Sequence, residues 1–339
     1  MNRRSFIRRG LVAVLLASLM PVTPLPSAEA HDWFKRIGRW DIELMGGWAA
    51  VDPADLNAFS VYDRTWHEQV REGVLAYNRR QFGAGYRYSV EKKGDFPMLN
   101  GGWNGGIRLV RHFSPRLALS LGFQYLARGE SASVERTYHV AFTNPNSVAF
   151  VTDETTVYRY DPHELSLKTY APEVGIQWTF WRVSNLQGRA FLRGGPVWAS
   201  CRVLRARTYD HSLYRFSWDT TNDLRGNGIG FRGEAGLRWQ WDVTRKWGVF
   251  LEGAYGLQRI GRIAGSEESK IRYQDGDAGQ AELDQAYSND GRWRMKWVRS
   301  VSASGEFYQG YPVIGDESLP AFHLGLGGFQ VRLGIVFHL

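Results

Sequence analysis

The last eleven residues of the chain, Phe329 to Leu339, alternate strictly. Phe329, Val331, Leu333, Ile335, Phe337 and Leu339 fall on one side, and Gln330, Arg332, Gly334, Val336 and His338 on the other. A period of two is the mark of a β-strand with one apolar face and one largely polar face. The same period recurs upstream in hairpins. Ile229, Phe231, Ala235, Leu237, Trp239 and Trp241 alternate with Arg232, Glu234, Arg238, Gln240 and Asp242, and Thr244–Lys246 turns the chain into Trp247, Val249, Leu251, Tyr255 and Leu257. Trp103–Phe113 and Leu117–Tyr125 make a second pair across Ser114–Arg116, and Val174–Phe180 and Ala190–Cys201 a third across Ser184–Gly188. In the last of these strands Arg189 and Arg193 place the odd positions inward. Trp40–Ala50 opens the series with Asp41 and Glu43 inward. Apolar parity changes at Pro172 and again at Gly327–Gly328, which predicts a β-bulge at each.

The N-terminus reads as a cleaved export signal, 1–30, with the mature domain spanning 31–339. Arg3, Arg4, Arg8 and Arg9 precede a short apolar run, Leu11–Met20, and Ala28-Glu29-Ala30 is a small-x-small cleavage site. That run is shorter than the roughly 20 residues a membrane helix needs. The Arg pair also resembles a twin-arginine signal, but a strand-built membrane protein is not exported folded, which favours the general secretory route. Losing four Arg and one Glu lowers the net charge from +8 to +5, too mild to argue for nucleic acid. A mean hydropathy of −0.37 excludes a helical membrane protein but not a strand-built one, because half of each strand faces inward. With a single cysteine, Cys201, no intramolecular disulfide can form.

Eight strands emerge, joined by three short turns and four long connections, 51–98, 130–164, 203–227 and 262–321. Two of these, Val134–Phe142 with Val148–Tyr160 and Trp293–Val301 with Glu306–Val313, have room for a further hairpin, so ten or twelve strands is the alternative. The pattern resembles the small outer-membrane β-barrel proteins of Gram-negative bacteria, such as the barrel of outer membrane protein A. The resemblance rests on the eight strand segments and on Arg332, Gly334, Phe337 and Leu339, which are similar to the C-terminal signal read by the barrel-assembly machinery of that class. It implies an all-β fold: a closed antiparallel transmembrane β-barrel in the cell outer membrane, in contact with outer-membrane lipid and lipopolysaccharide. An unpaired backbone group in lipid costs several kcal/mol, so the last strand should pair with the first.

The inward set is ionic: Asp41, Glu43, Glu173, Glu234, Asp242 and Glu252 against Arg108, Arg128, Arg189, Arg193, Arg232, Arg238 and Arg332. An eight-stranded barrel is about wide enough for side chains alone, so these charges should pair and fill it. The first long connection predicts one short helix, capped by Asp52 with Pro53 in its first turn and Asp55 following, and carrying an apolar stripe at Leu56, Phe59, Tyr62, Trp66 and Val70. Arg292, Arg294 and Lys296 interleave with Trp293, Met295 and Trp297, which suits contact with lipopolysaccharide phosphates at a barrel wall. His67-Glu68-Gln69-Val70-Arg71 lacks the second His of a zinc motif, and Asp210-His211-Ser212 reads as a polar tip rather than a triad. No cofactor, metal set or catalytic residue is assigned. The preferred function is a non-enzymatic outer-membrane barrel acting through its surface loops; the alternatives are a narrow porin or transporter and a lipid A-modifying rim enzyme.

Overall fold

The computed structural model describes residues 38–50, 53–143, 151–212, 216–275, 283–302, 305–314 and 317–339. The export signal, the mature start at His31 and the Asp52 cap lie outside them. In chain order the elements are β1 (Trp40–Ala49), α1 (Ala54–Thr65), a π-helical turn (Trp66–Arg71), α2 (Glu72–Phe82), β2 (Tyr86–Lys93), β3 (Gly102–His112), β4 (Leu117–Thr143), β5 (Val151–Val183), β6 (Leu186–His211), β7 (Phe216–Trp241), β8 (Trp247–Asp275), β9 (Leu283–Ser302), β10 (Gly305–Ile314) and β11 (Leu324–His338).

Antiparallel pairing is circular. β1 pairs β3, then β3 through β8 pair in sequence order, β8 pairs β11, and β11 returns to β1. The closing register sets Ile42 against Phe337, Leu44 against Ile335 and Trp48 against Val331. The expected pairing of the last strand with the first is therefore present. Eleven strands are described rather than eight, because three lie outside the ring. β2 adds to the far half of β4, β9 to the far half of β8, and β10 to β9.

The four long connections are mostly not loops. β4 and β5 stay paired from Leu117–Trp178 out to Thr143–Val151, and β6 and β7 from Leu186–Trp241 out to His211–Phe216. A 26-residue strand rises roughly 85 Å along its own length, far more than a bilayer requires. Val134–Phe142 is thus a continuation of β4, not half of an extra hairpin. The Trp293–Val301 segment does form a hairpin with Glu306–Val313, outside the ring.

Neither predicted bulge exists. β4 opposes β5 in one register through Pro172, and β11 opposes β8 in one register through Gly327 and Gly328. The parity change has another cause. Leu165, Leu167, Leu324 and Leu326 point inward and are buried, whereas Val174, Ile176, Phe329 and Val331 point outward and are exposed. The interior itself becomes apolar at that height.

On the outside, apolar side chains form a continuous belt, including Leu44, Ile107, Leu121, Leu192, Phe231, Leu251 and Leu333. Trp40, Phe113, Trp241 and Trp247 edge it at the short-turn end, and Trp48, Trp103, Tyr170, Trp198 and Tyr255 at the other. From Trp247 to Tyr255 is about 27 Å along the strand, or about 20 Å at a tilt near 40°. This is the height of a lipid-facing band.

Leu333 is 65% exposed, the profile of a residue whose replacement in a water-soluble protein changes stability little. If the belt faces lipid, Leu333→Arg should cost about 2–4 kcal/mol in urea unfolding from vesicles. A change below about 0.5 kcal/mol would show that this face meets water.

The filled interior and its cap

Inward-facing positions of the ring bring the predicted charges together. Arg108 donates from Nε to Glu173 Oε1 at 2.6 Å and from Nη1 to Glu252 Oε2 at 3.1 Å, with Glu43 at 3.6 Å and Glu234 at 3.9 Å. Arg193 donates to Glu234 at 3.1 Å and to both oxygens of Glu252 at 2.9 and 2.8 Å. Arg332 reaches Glu234 and Glu252, each at 2.8 Å, and Arg238 donates to Glu43 at 2.6 Å. Arg232 completes the set against Glu234. These side chains come from β1, β3, β5, β6, β7, β8 and β11, so the network ties seven of the ring's strands together. All are buried. Two guanidinium groups also lie over aromatic faces, Arg193 on Phe191 at 3.7 Å and Arg238 on Phe250 at 3.5 Å.

Five further inward side chains join these charges, of which sequence reasoning left Asn104 and His112 unplaced. Gln124 donates to Glu173 at 2.8 Å, and Asn104 to Gln330 at 3.1 Å. Nearer the short turns, His112 and His338 both hold Asp41 at 2.8 Å, and His338 also reaches Asp242 at 3.2 Å. The two histidines looked scattered in the sequence. Strand parity, which set His338 on the polar side of the last strand, would likewise have set His112 inward on β3. Arg128 was placed inward but is not in the network; it pairs with Glu130 and lies over the outer Trp48 ring at 5.2 Å.

The residues of the C-terminal signal have separate structural roles. Arg332 belongs to the ion network, Gly334 sits where a Cβ would run into the Phe250 ring and the Leu44 carbonyl, and Phe337 and Leu339 lie outward and exposed.

Above the ionic layer the interior is apolar. Leu126, Leu165, Leu167, Val197, Val203, Ile260, Leu324 and Leu326 meet Leu56 and Phe59 of α1, with Leu99, Trp293 and Phe322. The helical connection thus turns inward and stoppers the ring. It is longer than the one short helix expected, running as α1, the π turn and α2, and Pro53 is its cap residue rather than a first-turn residue. The buried face is not the predicted stripe either. Leu56 and Phe59 are on it, but Asn57, Ser60, Asp63 and His67 are buried as well, while Tyr62 and Val70 are only half-buried. Each buried polar group has a partner. Asn57 exchanges hydrogen bonds with the Leu99 backbone at 3.1 and 2.9 Å. Ser60 meets His163 at 3.4 Å, and Asp63 accepts from Arg205 at 3.2 Å.

His67 is the hub of the cap. Its Nδ1 is 2.8 Å from the Tyr138 hydroxyl and its Nε2 3.0 Å from that of Tyr160. The ring packs among Trp66, Phe96 and Tyr158. Burial, reinforced by the nearby Arg136, Arg207 and Arg71, pushes its pKa down to about 3. Burial likewise pushes His163 down to about 4. His67 is therefore neutral, one ring nitrogen donating and the other accepting.

Of the basic stripe, Arg292 and Lys296 are exposed and Arg294 donates to the Leu319 carbonyl at 3.4 Å, while Trp293 and Met295 turn into the core. The side chain of Trp297 lies outside the described residues. Asp210, His211 and Ser212 diverge: His211 pairs with Glu154 at 2.8 Å, and the Ser212 hydroxyl accepts from the Thr155 N–H at 2.8 Å.

No family model matches the chain, and no curated protein matches it. Solved structures similar to it include the outer membrane protease OmpT from Escherichia coli, at 6% identity, 89% of this chain, 97% of that one and a TM-score of 0.26. A FadL homologue from Pseudomonas aeruginosa shares 9% identity over 88% and 90% of the two chains, with a TM-score of 0.17. The translocator domain of the autotransporter NalP from Neisseria meningitidis shares 9% over 92% and 95%, with a TM-score of 0.18. The functional reading rests on the geometry of this chain.

Glu252 accepts from two arginines and pairs with a third, so Glu252→Gln leaves buried positive charge unbalanced. Equilibrium unfolding should show a loss of about 3–5 kcal/mol; a loss under 1 kcal/mol would mean the interior is hydrated. The cap has a distinct pH signature. The folded pKa of His67 and His163 lies below the unfolded value near 6.5, so unfolding of the cap takes up protons. Stability is full above pH 6.5 and falls as pH drops toward 4, by about 1.4 kcal/mol per pH unit for each histidine. Hydrogen-exchange protection over residues 54–82, corrected for the intrinsic pH dependence of amide exchange, should fall between pH 7 and 4. Equal protection at both pH values would contradict the neutral, buried assignment.

Proposed function

We propose that this protein is an integral outer-membrane β-barrel whose eight-stranded ring spans the bilayer without conducting. In this reading it holds a rigid surface platform made of the extended β4–β8 strands, the β9–β10 hairpin and the helical cap. The observation that carries this reading is the interior: among the described residues an ion-paired layer is topped by a buried apolar layer and a helix, while the outer face is apolar at bilayer height. The short turns and the first and last strand ends then lie on the periplasmic side and the long hairpins outside, the usual polarity of such barrels. Export by the general secretory route and insertion by the barrel-assembly machinery, reading Arg332, Gly334, Phe337 and Leu339, follow from this reading. The role is non-enzymatic: structure or surface contact, with lipopolysaccharide at the outer rim.

Planar-bilayer recording of the refolded protein decides between plug and pore. The expected trace is silent for wild type at high protein load. Reproducible unit steps would select the narrow porin instead. The same preparation should migrate differently on gels before and after boiling, as a closed β-barrel does; identical migration would remove the barrel itself.

A further inference from the structure

A groove of about 750 Å³ opens on the outer face across β7, β8, β11 and β1. Its walls are the outward Trp239 and Trp241 on one side and Leu44 on the other, with Leu251 and Ile335 between them. A barrel surface is convex, so a hollow there needs a local cause, and Gly46 supplies one by leaving an outward position of β1 without a side chain. The volume falls within the range of about 300–1,000 Å³ of small-molecule sites. The groove lies in the short-turn half of the belt: Trp241 ends β7, and Ile335 is four residues from the end of the sequence.

The rim beneath this groove is cationic. Arg245 and Lys246 form the β7–β8 turn at one edge. Arg39 precedes β1 at the other, and Arg111 stacks on Trp40 at 5.3 Å. The His338 N–H donates to the Lys246 carbonyl and the Leu339 N–H to that of Trp40, which lines these residues up along one edge. Among the described residues, the acids at this end are Asp41 and Asp242, which point inward, are buried and hold His338.

An apolar groove with basic side chains at its interfacial mouth is complementary to an acyl chain carrying an anionic headgroup. We propose that this groove is a specific site for an anionic glycerophospholipid of the inner leaflet, its chain along Leu251 and Ile335 and its phosphate at Arg245 and Lys246. The proposal rests on the barrel reading above, which puts the short turns in the phospholipid leaflet.

The test is native mass spectrometry of the full protein released from micelles holding equal amounts of phosphatidylglycerol and phosphatidylcholine. Wild type should retain phosphatidylglycerol about tenfold more often. Arg245→Gln with Lys246→Gln should bring the two lipids to parity. Gly46→Leu, where a Cβ meets nothing nearer than the Asn104 carbonyl at 4.0 Å, should fill the hollow and reduce retention of both. Arg116→Gln with Arg182→Gln, at other turns of the same end, should behave as wild type. Equal retention by wild type, loss in that control pair, or displacement of phosphatidylglycerol by lipid A would each overturn the site. All samples are first checked for the gel shift on boiling. A preparation that shows the shift yet holds both lipids alike rejects the groove and leaves the barrel standing, whereas one without the shift rejects the barrel.

Discussion

The hydrogen bonds between β1 and β11 are the constraint from which the rest follows. In hydrocarbon each unpaired N–H or C=O costs several kcal/mol. On the membrane reading proposed above a sheet has no tolerable edge there, and the first and last strands of the ring do pair. Their register, Asp41–His338 to Ala49–Gln330, has no break. Closing a ring of eight fixes the radius, and the radius fixes what fits inside. The side chains that alternate inward must then fill a narrow cylinder. Here they do so with Arg and Glu side chains drawn from seven strands.

Such a network is a poor source of net stability, because desolvating the charges offsets most of their attraction. Its effect is geometric. Glu252 accepts from Arg193 and Arg108 and pairs with Arg332, so three strands besides its own are held at fixed distances by one carboxylate. A ring slipped by one residue would turn Glu252 and its partners outward onto the apolar belt and break their pairing. The charges therefore select one register among those that backbone pairing alone would allow.

This also explains how far the sequence could be read. Alternation located every ring strand, and of the charges placed inward only Arg128 lies elsewhere, because an apolar outer face against an ionic inner one is the strongest contrast a strand can carry. It failed where that contrast is absent. At Leu165–Leu167 and Leu324–Leu326 the interior is as apolar as the exterior, so parity of hydrophobicity no longer reports direction and an unbroken strand looked bulged. Beyond the belt both faces of β4–β8 are mixed, and strands such as Glu130–Thr143 lost their signature and looked like loops. The cap helix was legible as a helix but not in its rotation. Its packing face carries Asn57, Ser60, Asp63 and His67, and their partners Leu99, His163, Arg205, Tyr138 and Tyr160 lie more than 40 residues away in sequence.

The two halves of the interior divide the labour. The ionic half sits where the outer face is apolar, and there the fold is tied by register. The apolar half sits where the strands leave the belt, and there closure needs an insert, because the ring loses strands. β3 begins at Gly102 and β11 at Leu324, so above that level the sheet runs from β2 through β4–β8 to β9 and β10 and, among the described residues, does not close on itself. An open sheet in water must cover its apolar face. Leu56 and Phe59 of α1 do so from within, and the polar residues that flank them anchor the helix to β5 and β6 through His163 and Arg205. The cap is thus the consequence of carrying long strands past the point where the ring ends, and it seals the ring beneath a sheet whose end strands, among the described residues, are β2 and β10, the latter packed against α1.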